Sequence, residues 1–187
     1  IAARNPDKPV LQKLAESHGV HRYACDASQP ADVELLFQNV TRDLGPSTLV
    51  VHNIDGRVPG IFRKGITEAE PSMVLETLRN AAFSAFLIGQ QAARVMREKK
   101  RNANGAKGTI IFTNASAALK GFPTSGAFAM ACHAKSGLAQ SMARELMPQG
   151  IHVVNVPIDA AIGWTQEDGT RAHRLGEKVC LSRATHL

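Results

Sequence analysis

The chain has 187 residues, 44% of them apolar and 20% charged, with a formal net charge of +6. That length carries one domain with a sizeable core and is short for two. Three cysteines far apart (Cys25, Cys132, Cys180) exclude a disulfide framework and a CxxC pair, and the scattered histidines lack metal-ligand spacing, so no metal is expected.

The chain opens on "IAARN", which reads as the end of a strand rather than the start of a protein. "PVLQKLAESH" (9–18) places Val10, Leu11, Leu14 and Ala15 at helical spacing and stops at Gly19. "VHRYAC" (20–25) alternates like a strand, and Ser28 is expected to cap a helix over 30–43. "STLVVHN" (47–53) is a β-rich run of the kind buried on both faces of a parallel sheet. Thr67 and Glu70 have capping-box spacing before a long helix to about residue 99, whose apolar residues cover more than one stripe. "GTIIFTNAS" (108–116) is the next strand, 127–148 the next helix, and "IHVVNVPI" (151–158) a further strand. From 159 onward the periodicity fades into a polar, basic tail.

Much of the positive charge sits in "REKKRNANGAK" (97–107), at the close of a predicted helix, where cations suit the helix dipole and face water. No nucleic-acid motif accompanies it, so nucleic acid is not an expected partner. No apolar run approaches a membrane span and no signal peptide is evident, so a cytoplasmic protein is expected. The terminal "THL" faintly matches a peroxisomal signal and leaves that organelle as an alternative.

Strands alternating with helices imply an α/β fold, a doubly wound parallel sheet of three layers joined by right-handed crossovers. In such a sheet the ligand sits beyond the carboxyl ends of the strands. Arg4, Asp26, Asn53, Ser116 and the residues after Pro157 are therefore the ones to watch.

"AARN", "CDAS", "VVHNIDG", "FTNASAAL" and "ACHAKSGLAQSMAREL" follow one another in an order and spacing that resemble the short-chain dehydrogenase/reductase family across nearly all of residues 1–163. The resemblance implies a Rossmann-like domain over 1–162, with the N-terminal βα unit and its Gly-rich turn missing, and a substrate-loop segment over 163–187. It implies that Arg4 grips a 2′-phosphate, so that NADP(H) is expected over NAD(H), that Asp26 bonds adenine, and that Asn53 lines the cofactor. Asp55 replaces a family glycine and is expected to crowd or repel phosphate. Ser116 would hold the substrate oxygen and Lys135 the nicotinamide ribose; Ile162 approximates the residue whose backbone meets the carboxamide. The family tyrosine is absent. Its place is taken by Ala131, the enoyl-reductase variant of that position is Phe128, and the only tyrosine is Tyr23. The helix asparagine falls on or beside Ala81, one residue from Asn80.

Two functions follow from the resemblance. One is an oxidoreductase with a degenerate site, Ser116 and Lys135 surviving, that interconverts a small carbonyl compound and an alcohol by hydride transfer. The other is a non-catalytic dinucleotide-binding or regulatory subunit. A homodimer or homotetramer is implied through the outer faces of helices 67–99 and 127–148. Cys132 and His133 read as packing residues, His133 pointing away from Lys135.

Overall fold

Proline sets the start of three helices. In the computed structural model, which describes residues 1–160, 163–165 and 171–173, α1 (Pro9–His18), α2 (Pro30–Leu44) and α3 (Pro71–Leu78) each carry proline in the first turn. The absent proline N–H is one that no helix could satisfy there. Two expected caps are consequently not made. Gln29 rather than Ser28 precedes α2, and the Ser28 amide instead donates to Asp26 Oδ1 at 2.9 Å. Glu70 precedes α3 without a side-chain cap, so the Thr67–Glu70 box does not form. Gly19, with φ 63°, ends α1 as its sequence suggests.

The long helix expected from 67 to 99 is interrupted. A π-turn over Arg79–Phe83 separates α3 from α4 (Ser84–Arg97), and the Ser84 amide reaches back to the Arg79 carbonyl. The Ser84 hydroxyl donates to the Asn80 carbonyl at 2.6 Å, engaging a group at the turn.

β1 (Ala2–Ala3) pairs in parallel with β2 (Tyr23–Ala24). β3 (Leu49–His52) pairs in parallel with β4 (Gly108–Ala115), from Leu49 opposite Thr109 to His52 opposite Phe112. β4 is also hydrogen-bonded to β5 (Ile151–Ile158). α5 (Gly126–Leu146) joins β4 to β5 through a 3-10 turn that ends at Gly150. Helices between parallel strands make this the α/β, Rossmann-like fold that the sequence implies.

The core lies where Ile110 and Phe112 of β4 meet α2 (Val33, Phe37), α4 (Ala92, Met96) and α5 (Ala139). β3 departs from expectation: it is covered on one face only. Leu49 and Val51 are 57% and 50% exposed, whereas Val50 packs on the core and His52 is buried. Among the described residues β3 has β4 as its only strand neighbour, and α4 packs on the face that bears Val50 and His52.

Residues 1–157 form one compact unit and 158–187 another. In the second, β6 (Gly163–Thr165) and β7 (Arg171–His173) pair antiparallel, Gly163 opposite His173, where no strand is expected from the sequence.

Gly56 follows β3 at φ +77°, and a Cβ there would lie 2.7 Å from the Ala81 amide nitrogen and 2.8 Å from its Cα. Gly105 has the same φ of +77° and nothing within 4 Å. Both Gly→Ala variants should lose ~1 kcal/mol to the left-handed backbone. Gly56→Ala should lose roughly 1–3 kcal/mol more, because the loop must leave the π-turn. Denaturant unfolding of the two variants checks this; equal losses would show that the contact with Ala81 is unimportant.

Candidate functional site at the carboxyl ends of the strands

α5 positions the lysine. Lys135 is 4% exposed, and its Nζ donates to the Ile54 carbonyl at 3.4 Å in the loop after β3. Burial lowers its pKa, opposed by the nearby Cys132 and Asp55. One turn earlier on the same side, Ala131 is fully buried. Where the resemblance places a hydroxyl, the helix therefore presents a methyl group. Cys132 is buried beside Ala117 and Ala118, and burial raises its thiol pKa, which suits the packing role. His133 is exposed and turns its Nδ1 to the Ala129 carbonyl, away from the site.

Ser116 opens the 3-10 turn Ser116–Ala118, which packs directly on α5. Among the described residues its hydroxyl makes no hydrogen bond, so it is available to a ligand oxygen. Its placement depends on Asn114, a buried residue that the sequence reading passed over. Asn114 Nδ2 donates to the Cys132 carbonyl and to Asn155 Oδ1, both at 3.0 Å, while its Oδ1 accepts the Ala115 amide. Asn155 Nδ2 in turn donates to Ser136 Oγ at 3.3 Å. The alternation of β4 carried the signal: Asn114 shares the inward face of Ile110 and Phe112, and a buried amide needs partners.

A second polar chain stands beneath the lysine. Ser84 has one hydroxyl hydrogen, which the 2.6 Å contact assigns to the Asn80 carbonyl. His52 Nε2, 2.8 Å from Ser84 Oγ, must then donate to it. Among the described residues its buried Nδ1 has no hydrogen-bond partner. A proton there would add charge to an enclosed ring. Burial first, and Lys135 second, push the His52 pKa down to about 3, so the ring is neutral.

At the other strand ends, Asp26 has a lowered pKa, chiefly from the Ser28 amide, with Arg4 and Arg79 adding positive charge. The charges of Arg4 and of Arg79, the latter from the π-turn and singled out by no sequence pattern, are thus both felt at Asp26. Asn53 is exposed and accepts a hydrogen bond from Thr113 Oγ1 at 2.6 Å. Asp55, expected to repel phosphate, pairs with Arg57 through two contacts of 2.6 and 2.9 Å, so its charge is largely cancelled. Asn80 lies in the π-turn and Ala81 is buried against Gly56. Ile162 lies outside the described residues. Among those residues no group of histidines, cysteines and carboxylates could hold a metal, and no helix is long and apolar enough to cross a membrane.

The profile of a family described as enoyl-(acyl carrier protein) reductase matches residues 1–170. A short-chain dehydrogenase from Rhodopseudomonas palustris is 30% identical, with a TM-score of 0.72 over 85% of this chain and 71% of its own. Sorbitol-6-phosphate 2-dehydrogenase SrlD from Erwinia amylovora, 22% identical, matches 89% of this chain with a TM-score of 0.73. An enoyl-(acyl-carrier-protein) reductase from Anaplasma phagocytophilum, solved with NAD and 21% identical, matches 80% with a TM-score of 0.67. These last two establish the fold alone, and this chain spans 62% and 56% of their lengths.

A group whose folded pKa is depressed from 6.5 to about 3 withholds a proton that the unfolded chain takes up. Its contribution is complete above pH 6.5 and is lost as pH falls toward 3. Between pH 7.5 and 4.5 the chain should therefore lose ~2 kcal/mol more stability than His52→Gln, whose amide can still donate to Ser84. Denaturant unfolding at the two pH values checks this. Equal losses would refute the buried neutral ring.

Proposed function

The chain belongs to the short-chain dehydrogenase/reductase family of NAD(P)-dependent oxidoreductases, and from that premise we propose that it interconverts a carbonyl and an alcohol at Ser116 and Lys135. The observation that carries this reading is the buried Lys135, held on α5 against the loop after β3 and beside the turn that presents Ser116.

The charges at the strand ends suit a phosphorylated dinucleotide. Arg4 and Arg79 offer two cations near Asp26, which favours NADP(H) over NAD(H); Asp26 would accept from adenine, with Asn53 and Lys135 nearer the ribose. A bound nicotinamide supplies the hydride. Ser116 donates to the substrate oxygen and fixes its position. Lys135, whose ammonium burial makes more acidic, releases the proton that this oxygen takes up through an intervening water. Without a tyrosine the reaction is expected to run about 10²–10⁴-fold slower than with a positioned acid.

The buried methyl of Ala131 favours a second reading, in which the chain binds the dinucleotide and does not turn it over. In either case a homodimer or homotetramer fits the exposed Leu75, Phe83 and Phe86 on the outer side of α3, the π-turn and α4. A reducing cytoplasmic setting suits the free thiols of Cys25 and Cys132.

Nicotinamide fluorescence of the full chain titrated with NADPH and NADH should show tighter binding of NADPH, a preference that Arg4→Ala removes. No binding of either nucleotide would sink both readings. Turnover of an aldehyde and ketone panel should vanish in Lys135→Met and rise at least ~10-fold in Ala131→Tyr. Binding without turnover in the parent and in Ala131→Tyr would select the non-catalytic subunit.

A further inference from the structure

The loop that leaves β3 holds an arginine in a setting that a simple loop staple does not require. Asp55 takes the side edge of the Arg57 guanidinium, Nε at 2.6 Å and Nη2 at 2.9 Å. The Phe128 ring centroid lies 4.3 Å from Arg57 Cζ and that of Phe62 at 5.0 Å. The loop itself is anchored, since Val58 and Ile61 are buried against Ala127 of α5. Carboxylate and rings together fix the fork, so little rotamer freedom remains to be lost when a ligand binds. Among the described residues Nη1 makes no hydrogen bond. The end edge, Nη1 with the second hydrogen of Nη2, can therefore give two parallel bonds to one anion.

Its surroundings place that fork beside the site. Ile54, the acceptor of Lys135, is three residues before Arg57 in the same loop. Phe128 stands on the side of α5 that bears Ala131 and Lys135, and packs against Ala117, Ala118 and Cys132, next to Ser116. The charges of Asp55 and Arg57 both act on the Cys132 thiol, and that of Asp55 acts on Lys135. Asp55 cancels most of the arginine's charge at long range. What survives is directional and felt at contact distance.

We infer that Arg57 sets substrate specificity: its open edge binds an anionic group, a carboxylate or a phosphate monoester, carried by the carbonyl compound that the site takes. This rests on the function proposed above, since it assigns the substrate class of the same site. A neutral compound of the same shape leaves the half-buried fork without a partner, and sites built to hydrogen-bond a substrate group discriminate against analogues that lack it.

The test compares 4-formylbenzoate, its methyl ester and 4-formylphenyl phosphate. Calorimetric titration of the full chain with NADP⁺ present measures binding without needing turnover, and NADPH-driven reduction measures KM and kcat. At least one anion should bind about 10–100-fold more tightly than the ester, and which anion does so identifies the group recognised. Arg57→Gln should abolish that margin by raising the KM of the anion, with kcat and the ester's KM changed less than about threefold. Arg57→Lys should retain part of it. Equal binding of anion and ester, no binding of any compound, or a margin untouched by Arg57→Gln would each overturn the inference. So would a loss confined to NADP⁺ affinity, which would make Arg57 a cofactor contact. An anion margin that depends on Arg57, found without turnover, would uphold it and overturn the oxidoreductase reading instead.

Discussion

The side-chain amide of Asn114 is the constraint on which the site depends. Through it β4 grips the α5 carbonyl at Cys132 and reaches Asn155 of β5, which passes the connection back to Ser136 of α5. Ser116 lies two residues beyond Asn114 and Lys135 three beyond Cys132, so this group helps to fix their relative position, together with the packing of the Ser116 turn on α5. A buried amide deprived of partners costs about 1–3 kcal/mol, enough to penalise every packing in which helix and strands slip past one another. Apolar contacts alone, such as Phe112 and Met96, would tolerate small slips.

The second constraint is electrostatic. His52 and Lys135 are two basic groups in one poorly solvated region, where a pair of cations would repel with little screening. The conflict is resolved by keeping His52 neutral, its one proton given to Ser84. That serine is available because the π-turn leaves the Asn80 carbonyl within its reach. The same turn carries Ala81 against Gly56, so one irregularity in the helix serves the strand end, the loop and the charge balance together. Asp55 and Arg57 likewise neutralise each other at the rim. Ala131 is fully buried, and the buried Lys135 ammonium lies one turn away on the same side of α5.

Much of the architecture is legible from short-range patterns. Alternation along "GTIIFTNA" and helical spacing in "PVLQKLAESH" report elements that form as read, because each pattern repeats within a few residues. The caps misread at Ser28 and Thr67 show one local rule yielding to another, since proline occupies the first turn in both cases. The interrupted helix had left a trace: apolar residues from Leu75 to Val95 cover more than one stripe, as they must when one extra residue per turn shifts the phase. Asn114 was legible too, as a polar residue on a buried strand face. Arg57 and Arg79 were not, because loops and π-turns have no period against which an unusual residue stands out.

By itself, then, the sequence determined the alternation of strands and helices, the fold class, and the order in which Arg4, Asp26, Asn53 and Ser116 arrive at the strand ends. All of these are written in neighbouring residues and in which chain terminus of a strand each one occupies. Tertiary structure decided which charges share a space: Lys135 against Ile54, His52 against Ser84, Arg79 near Asp26, and Arg57 between Asp55 and Phe128. Most of these encounters join residues dozens of positions apart, and the shortest turns on a loop whose shape is set by its packing on α5. Burial then amplifies each of them, because charges and hydrogen bonds withdrawn from water act far more strongly than the same groups do on an isolated helix.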